Sequence, residues 1–135
     1  MHKIIIYTDG GARNNPGPAG AGVFLIDGAK QIECKKYLGS QTNNWAEYEA
    51  VLLALAEARK RGLAGREIEV RADSKLIVEQ ISGNWKIKEP ALKLQHAKVR
   101  AMITADFPNI RFVYVPREEN KEADRLVNDA IDEAQ

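Results

Sequence analysis

The chain is poor in the residues that build stapled or soft-metal sites. Its single cysteine, Cys34, leaves no internal disulfide and no cysteine metal centre. Two histidines, His2 at the terminus and His96 in a helical stretch, are too few and too scattered for a histidine-rich metal site. No apolar run approaches transmembrane length, and the N-terminus lacks a signal-peptide pattern, so a cytoplasmic chain with no membrane partner is expected. Charge of one sign is missing too. With 20 basic and 19 acidic residues the net charge is +1, and composition gives no sign of a nucleic-acid binder. A basic patch has to come from local clustering, such as Lys86 and Lys88 beside Trp85. There is no internal repeat, low-complexity tract or linker. The expectation is a single domain over residues 1–135, monomeric and without an obligate protein partner.

What is present is a regular alternation of element signals. KIIIYT, residues 3–8, is a short β-branched run suited to a strand buried on both faces. GGARNNPGPAG is dense in Gly, Asn and Pro and should turn the chain. GVFLID and QIECKKYLG then read as two strands divided by Gly28. Across residues 45–61, Tyr48, Val51, Leu52, Leu55 and Ala58 recur at helical spacing, and Gly62 is a terminator. EIEVRAD alternates as a strand ending at Asp73, and Ser74 can cap a short helix through Ile81. After a Gly-Asn-Trp loop, Pro90 opens a helix carrying Leu92, Leu94 or Gln95, Val99, Met102 and Ile103. IRFVYV is the last strand, PREEN a connection, and Lys121–Ala134 a final helix capped by Asn120. The order β-β-β-α-β-α-α-β-α implies an α/β fold: three antiparallel strands, then helix-separated parallel ones, in a mixed five-stranded sheet with helices on both faces.

Four carboxylates fall where these elements begin or end. Asp9 and Asp73 lie at the carboxyl ends of two expected strands, and Glu47 and Asp124 in the first turns of two expected helices. Sites in such sheets gather at the carboxyl ends of parallel strands. Four acids at one sheet edge could not stay together without cations, and divalent metal held by carboxylates is a common apparatus for cutting or transferring phosphoryl groups. Each residue also has a plainer reading. Asp9 before glycine could start a turn, Asp73 and Asp124 could complement helix dipoles, and Glu47 could be a solvated helix acid. Asn14 and Asn15 could supply turn geometry, and Asn43 and Asn44 could cap a helix. Trp85 could be packed under its loop, and Cys34 a small buried apolar residue. Asn128 and Asp129, one turn past Asp124, read more simply as surface residues.

With TDGGARNNPGP, TNNWAEYEA, ADS and ENKEAD in this order, the chain resembles type 1 ribonuclease H over residues 3–130, including the smaller forms without an accessory hybrid-binding domain. The resemblance implies the ribonuclease H fold and endonucleolytic cutting of the RNA strand of RNA–DNA hybrids. It implies two Mg²⁺ or Mn²⁺ ions, with Asp9 shared between them, Glu47 and Asp73 helping to hold one, and Asp124 the other. Products would carry 3′-hydroxyl and 5′-phosphate ends. Asn15, Asn43 and Asn44 match family residues at the hybrid's minor groove, where amides suit the 2′-hydroxyl, and Thr42 one near a backbone phosphate. Trp85 with Lys86 and Lys88 could run along the DNA strand. Two departures stand out. Larger members carry a loop histidine before the last acid, whereas no histidine follows His96 here, leaving Arg117 or Glu118 as partial substitutes. The basic insertion is also lacking, since residues 83–94 are short and modestly basic, which implies a weak grip on hybrid. The rival readings are a non-cleaving hybrid-binding module and another nuclease, such as a junction resolvase, on the same fold.

Overall fold

A computed structural model of the chain describes residues 2–135. Its elements are β1 (Ile4–Ala12), β2 (Gly17–Asp27), β3 (Lys30–Gln41), α1 (Asn43–Lys60), β4 (Ile68–Ala72), α2 (Lys75–Ile81), α3 (Pro90–Asp106), β5 (Ile110–Tyr114), a 3₁₀ turn (Arg117–Glu119) and α4 (Lys121–Ala134). The five strands form one sheet in the order β3-β2-β1-β4-β5. β1–β2 and β2–β3 are antiparallel, while β4 is parallel to both β1 and β5. The expected mixed sheet and element order are therefore found. No helix among the described residues is long and apolar enough to cross a membrane.

Alternation along β1 assigns its two faces. Ile4 and Ile6 are fully buried in the main core with Val23, Leu25, Tyr48, Val51, Leu55 and Val70, beneath α1 and α3. The opposite face of β1, β2 and β3 is covered by α4, whose Ala123, Leu126, Val127, Ala130 and Ile131 are buried. In α3 the buried residue of the Leu94–Gln95 pair is Gln95, which donates to the Trp45 carbonyl and the Glu49 carboxylate, while Leu94 is exposed.

The glycine-rich stretch departs from expectation. β1 does not stop at residue 8 but runs to Ala12, and β2 begins at Gly17, so only Arg13–Pro16 turns the chain. Gly10, Gly11 and Ala12 pair with Ala21, Gly20 and Ala19, and this antiparallel ladder overrides the local preference for a turn. The small residues serve close packing. A Cβ on Gly10 would lie 2.2 Å from the Ala46 carbonyl oxygen of α1, and one on Gly22 would lie 2.4 Å from that of Ala123 in α4. One glycine thus admits α1 on one face, and the other admits α4 on the opposite face.

Helix starts differ in detail. Thr42, rather than Asn43 or Asn44, caps α1, its Oγ1 accepting from the Trp45 N–H at 3.2 Å. Glu47 is therefore the fifth helical residue and lies past the first turn. Ser74 caps α2 as expected. Asn120 stands before α4 but makes no side-chain cap; its amide is used elsewhere.

Candidate active site

The site is built where β1 and β4 part. Their parallel ladder ends at Thr8 opposite Ala72, so Asp9 and Asp73 are the first residues beyond it on each strand. Asp9 lies inside β1, paired with Gly22 of β2, and not at a strand end as expected; it is at the end only with respect to β4. Even-numbered residues of β1 turn their peptide groups toward β4, as the Ile4 N–H does to the Glu67 carbonyl. Beyond Thr8 those groups have no strand to pair with, and buried backbone groups must be satisfied. Side chains from the start of α1 supply partners: Glu47 Oε1 accepts from the Gly10 N–H at 3.2 Å, and Asn43 Oδ1 from the Ala12 N–H at 2.8 Å. Glu47 is thereby held against β1 by the same splitting of strands that frees Asp9.

Asp9, Glu47 and Asp73 each place one carboxylate oxygen within 4.8 Å of the others. Asp124, from the first turn of α4, lines the same open cavity of about 590 Å³ and its charge acts on Asp9. All four acids expected from the sequence therefore converge. Burial first, and then the charge of Asp73, push the Asp9 carboxyl up to about 7. Glu47 is raised well above the ordinary range by burial and then by the charge of Asp9. Asp73 is raised by burial, offset in part by the Asn120 amide and the Arg117 charge. Glu47 Oε2 is buried without a hydrogen-bond partner among the described residues. A set of hard oxygen donors, one of them orphaned and all opposing one another's charge, fits a divalent cation and suits little else.

The remaining expected residues divide. Asn43 and Asn44 line the cavity, but Thr42 and Asn15 serve its framework: Thr42 caps α1, and Asn15 Oδ1 accepts from the Asn43 N–H at 2.8 Å. Trp85 is 44% exposed instead of packed beneath its loop, and it stands with exposed Lys86 and Lys88 outside this cavity. Cys34 is only half-buried. Four further polar residues line the cavity: Arg13, Ser74, Arg117 and Asn128. Arg13 bonds Asp132 and Asn128 of α4, and Arg117 stands 3.9 Å from Asp124. Arg13 carried no sequence signal, because its partners are more than a hundred residues away.

Comparison with known proteins agrees with this geometry. The family model described as Reverse transcriptase-like matches residues 7–130. The Bifunctional protein Rv2228c of Mycobacterium tuberculosis is 44% identical over 98% of this chain, which covers 36% of that protein. The chain thus spans about a third of the length of such relatives. Ribonuclease HI of Halobacterium salinarum is 38% identical, with 98% of this chain and 66% of that protein covered. Among solved structures, LC11-RNase H1 in complex with RNA/DNA hybrid superposes with a TM-score of 0.93 at 51% identity, covering 97% of this chain and 98% of that one. The parting of β1 from β4, the carboxylates gathered in it and these matches along nearly all of this chain have one explanation: the chain belongs to the type 1 ribonuclease H family.

Proposed function

We propose that this chain is an endoribonuclease that hydrolyses the RNA strand of RNA–DNA hybrids with divalent metal. The observation that carries the reading is the convergence of Asp9, Glu47 and Asp73 within 4.8 Å in the wall of an open cavity that Asp124 also lines. The similarity to LC11-RNase H1, solved with RNA/DNA hybrid at 51% identity, supports the substrate.

Asp9, Glu47, Asp73 and Asp124 would hold two Mg²⁺ or Mn²⁺ ions, with Asp9 shared. What such ions supply is Lewis acidity toward water and neutralisation of phosphoryl charge. The chain's own groups do the rest. The Gly10 N–H fixes the Glu47 carboxylate, and β1 and β4 fix Asp9 and Asp73 as a rigid pair. Asn43 and Asn44 stand at the rim, where amides can both donate to and accept from a ribose 2′-hydroxyl. Arg13 and Arg117 bring positive charge to the cavity wall, favouring a phosphate backbone. Water adds its oxygen to phosphorus, the bond from phosphorus to the 3′ oxygen breaks, and a proton goes to that oxygen. The products then carry 3′-hydroxyl and 5′-phosphate ends. Trp85 and Lys86, exposed together, extend the grip to the DNA strand.

The test is cleavage of an end-labelled hybrid in Mg²⁺ and in Mn²⁺, beside single-stranded RNA and both pure duplexes. Hybrid-selective cutting is expected. Asp73→Asn should lower it at least about 10³-fold while hybrid binding survives. Binding without cutting by the unmodified chain would instead make it a hybrid-binding module. Ends bearing 2′,3′-cyclic phosphate would mean attack by the ribose hydroxyl and would overturn the hydrolytic step.

A further inference from the structure

We propose that Asn120 is a positioning residue of the metal site: an amide wedge that closes the split between β1 and β4 and sets the spacing of Asp9, Asp73 and Asp124. The inference rests on the metal-dependent reading above and deepens it.

Asn120 is 1% exposed, deep for an amide side chain at the start of a surface helix. Its Nδ2 donates to the carbonyl of Thr8 at 2.9 Å. Thr8 is the last β1 residue paired to β4, and its carbonyl points into the gap where the next rung would have formed. The Asn120 amide thus stands in for a strand, one residue before Asp9. Across the same gap the Asn120 amide favours the charged form of the Asp73 carboxyl. The Asn120 backbone carbonyl accepts from the Asp124 N–H at 3.1 Å, which ties the first turn of α4 to the wedge. Three acid-bearing segments therefore meet on one residue: the bond to Asp124 is the first backbone bond of α4, and the side chain, which caps no helix, is left to face the other two.

Its Oδ1 is buried with no hydrogen-bond partner among the described residues. An orphaned buried oxygen is unfavourable, so a residue kept only for packing would be better apolar. What an asparagine offers at this spot is its pair of N–H donors. An aspartate of the same shape would face the Thr8 carbonyl and the Asp73 carboxylate with oxygens alone.

The experiment titrates Mn²⁺ alone into the full chain by calorimetry, well below each variant's melting temperature, and measures kcat and KM on hybrid alongside. Asn120→Ala is expected to weaken Mn²⁺ binding about tenfold and to lower kcat, with KM changed less than about twofold. Asn120→Asp keeps the shape should the alanine variant fold poorly. It is expected to bind Mn²⁺ more weakly despite its added negative charge. Thr8→Val removes only the buried Thr8 hydroxyl and leaves the carbonyl that Asn120 bonds in place, and it should retain both metal affinity and kcat. A folded Asn120→Ala with unchanged affinity and kcat, or an Asn120→Asp that binds Mn²⁺ more tightly, would overturn the wedge. Failure of the unmodified chain to bind Mn²⁺ or to cut hybrid would strike the metal-dependent reading itself.

Discussion

Without metal, Asp9 ionises only near pH 7, because burial and then the charge of Asp73 oppose it, and Glu47 is likewise raised by burial and by Asp9 itself. The two carboxyls share a site and titrate as a pair. Since the folded state holds these protons more tightly than the unfolded chain, their contribution to stability is full below 3.8 and is lost as pH rises through about 7. Asp9→Asn removes that opposition. Its metal-free melting temperature at pH 8 should exceed that of the unmodified chain by several degrees, at about 4 °C per kcal/mol, while cleavage is lost. Equal melting temperatures at pH 8 would mean that the buried acids are not opposed. The sequence announced these residues through their motifs. It could not announce that Glu47 is held by the Gly10 N–H, because that bond exists only where β1 has left β4.

At the scale of elements, α1 and α4 reach the site because glycine lets helix backbones approach the sheet. Gly22→Ala should cost about 2–3 kcal/mol, since its Cβ would lie 2.4 Å from the Ala123 carbonyl oxygen and push α4 outward. Cleavage should fall with it, because Asp124 rides on α4; urea denaturation and hybrid cleavage measure the two effects. Gly11→Ala is the contrasting variant. Its Cβ would meet only Val127 Cγ1 at 3.9 Å, so stability should change by less than about 1 kcal/mol. Composition suggested a turn here because the same freedom serves turns and close approaches, and strand pairing chose between them. The start of α1 was ambiguous for a similar reason. Thr42, Asn43 and Asn44 are all good caps, and Asn43 is drawn off to the Ala12 N–H, leaving the role to Thr42.

At the scale of the molecule, two sets of buried charge pull stability in opposite directions with pH. On the α4 side of the sheet, but over β4 and β5 where that helix does not reach, Glu69 is buried among Lys3, Arg71 and Arg111. Burial raises this acid, but the bonds from Arg71, Arg111 and Lys3 outweigh it and hold the carboxyl at about 2. Its contribution is full above 4.5 and fades as pH falls toward 2, the reverse of Asp9. Metal-free melting temperature should therefore peak near pH 4.5, and millimolar Mn²⁺ should raise it more at pH 8 than at pH 5. A scan showing no such crossing would contradict the opposed titrations. Glu69→Gln should cost about 2 kcal/mol above pH 5 and almost nothing at pH 2, less than a fully buried pair because Arg111 and Lys3 stay partly hydrated. Glu69 was legible only as the polar half of an alternating strand, since its partners Lys3 and Arg111 come from distant segments. By itself the sequence determined the element order, the mixed sheet and the four acids, because periodicity and short motifs are local properties of the chain. The tertiary structure decided where β1 parts from β4, and with it which backbone groups Glu47, Asn43 and Asn120 satisfy. Those pairings join residues up to 112 positions apart, and the requirement that buried peptide groups find partners acts only once the strands have come together.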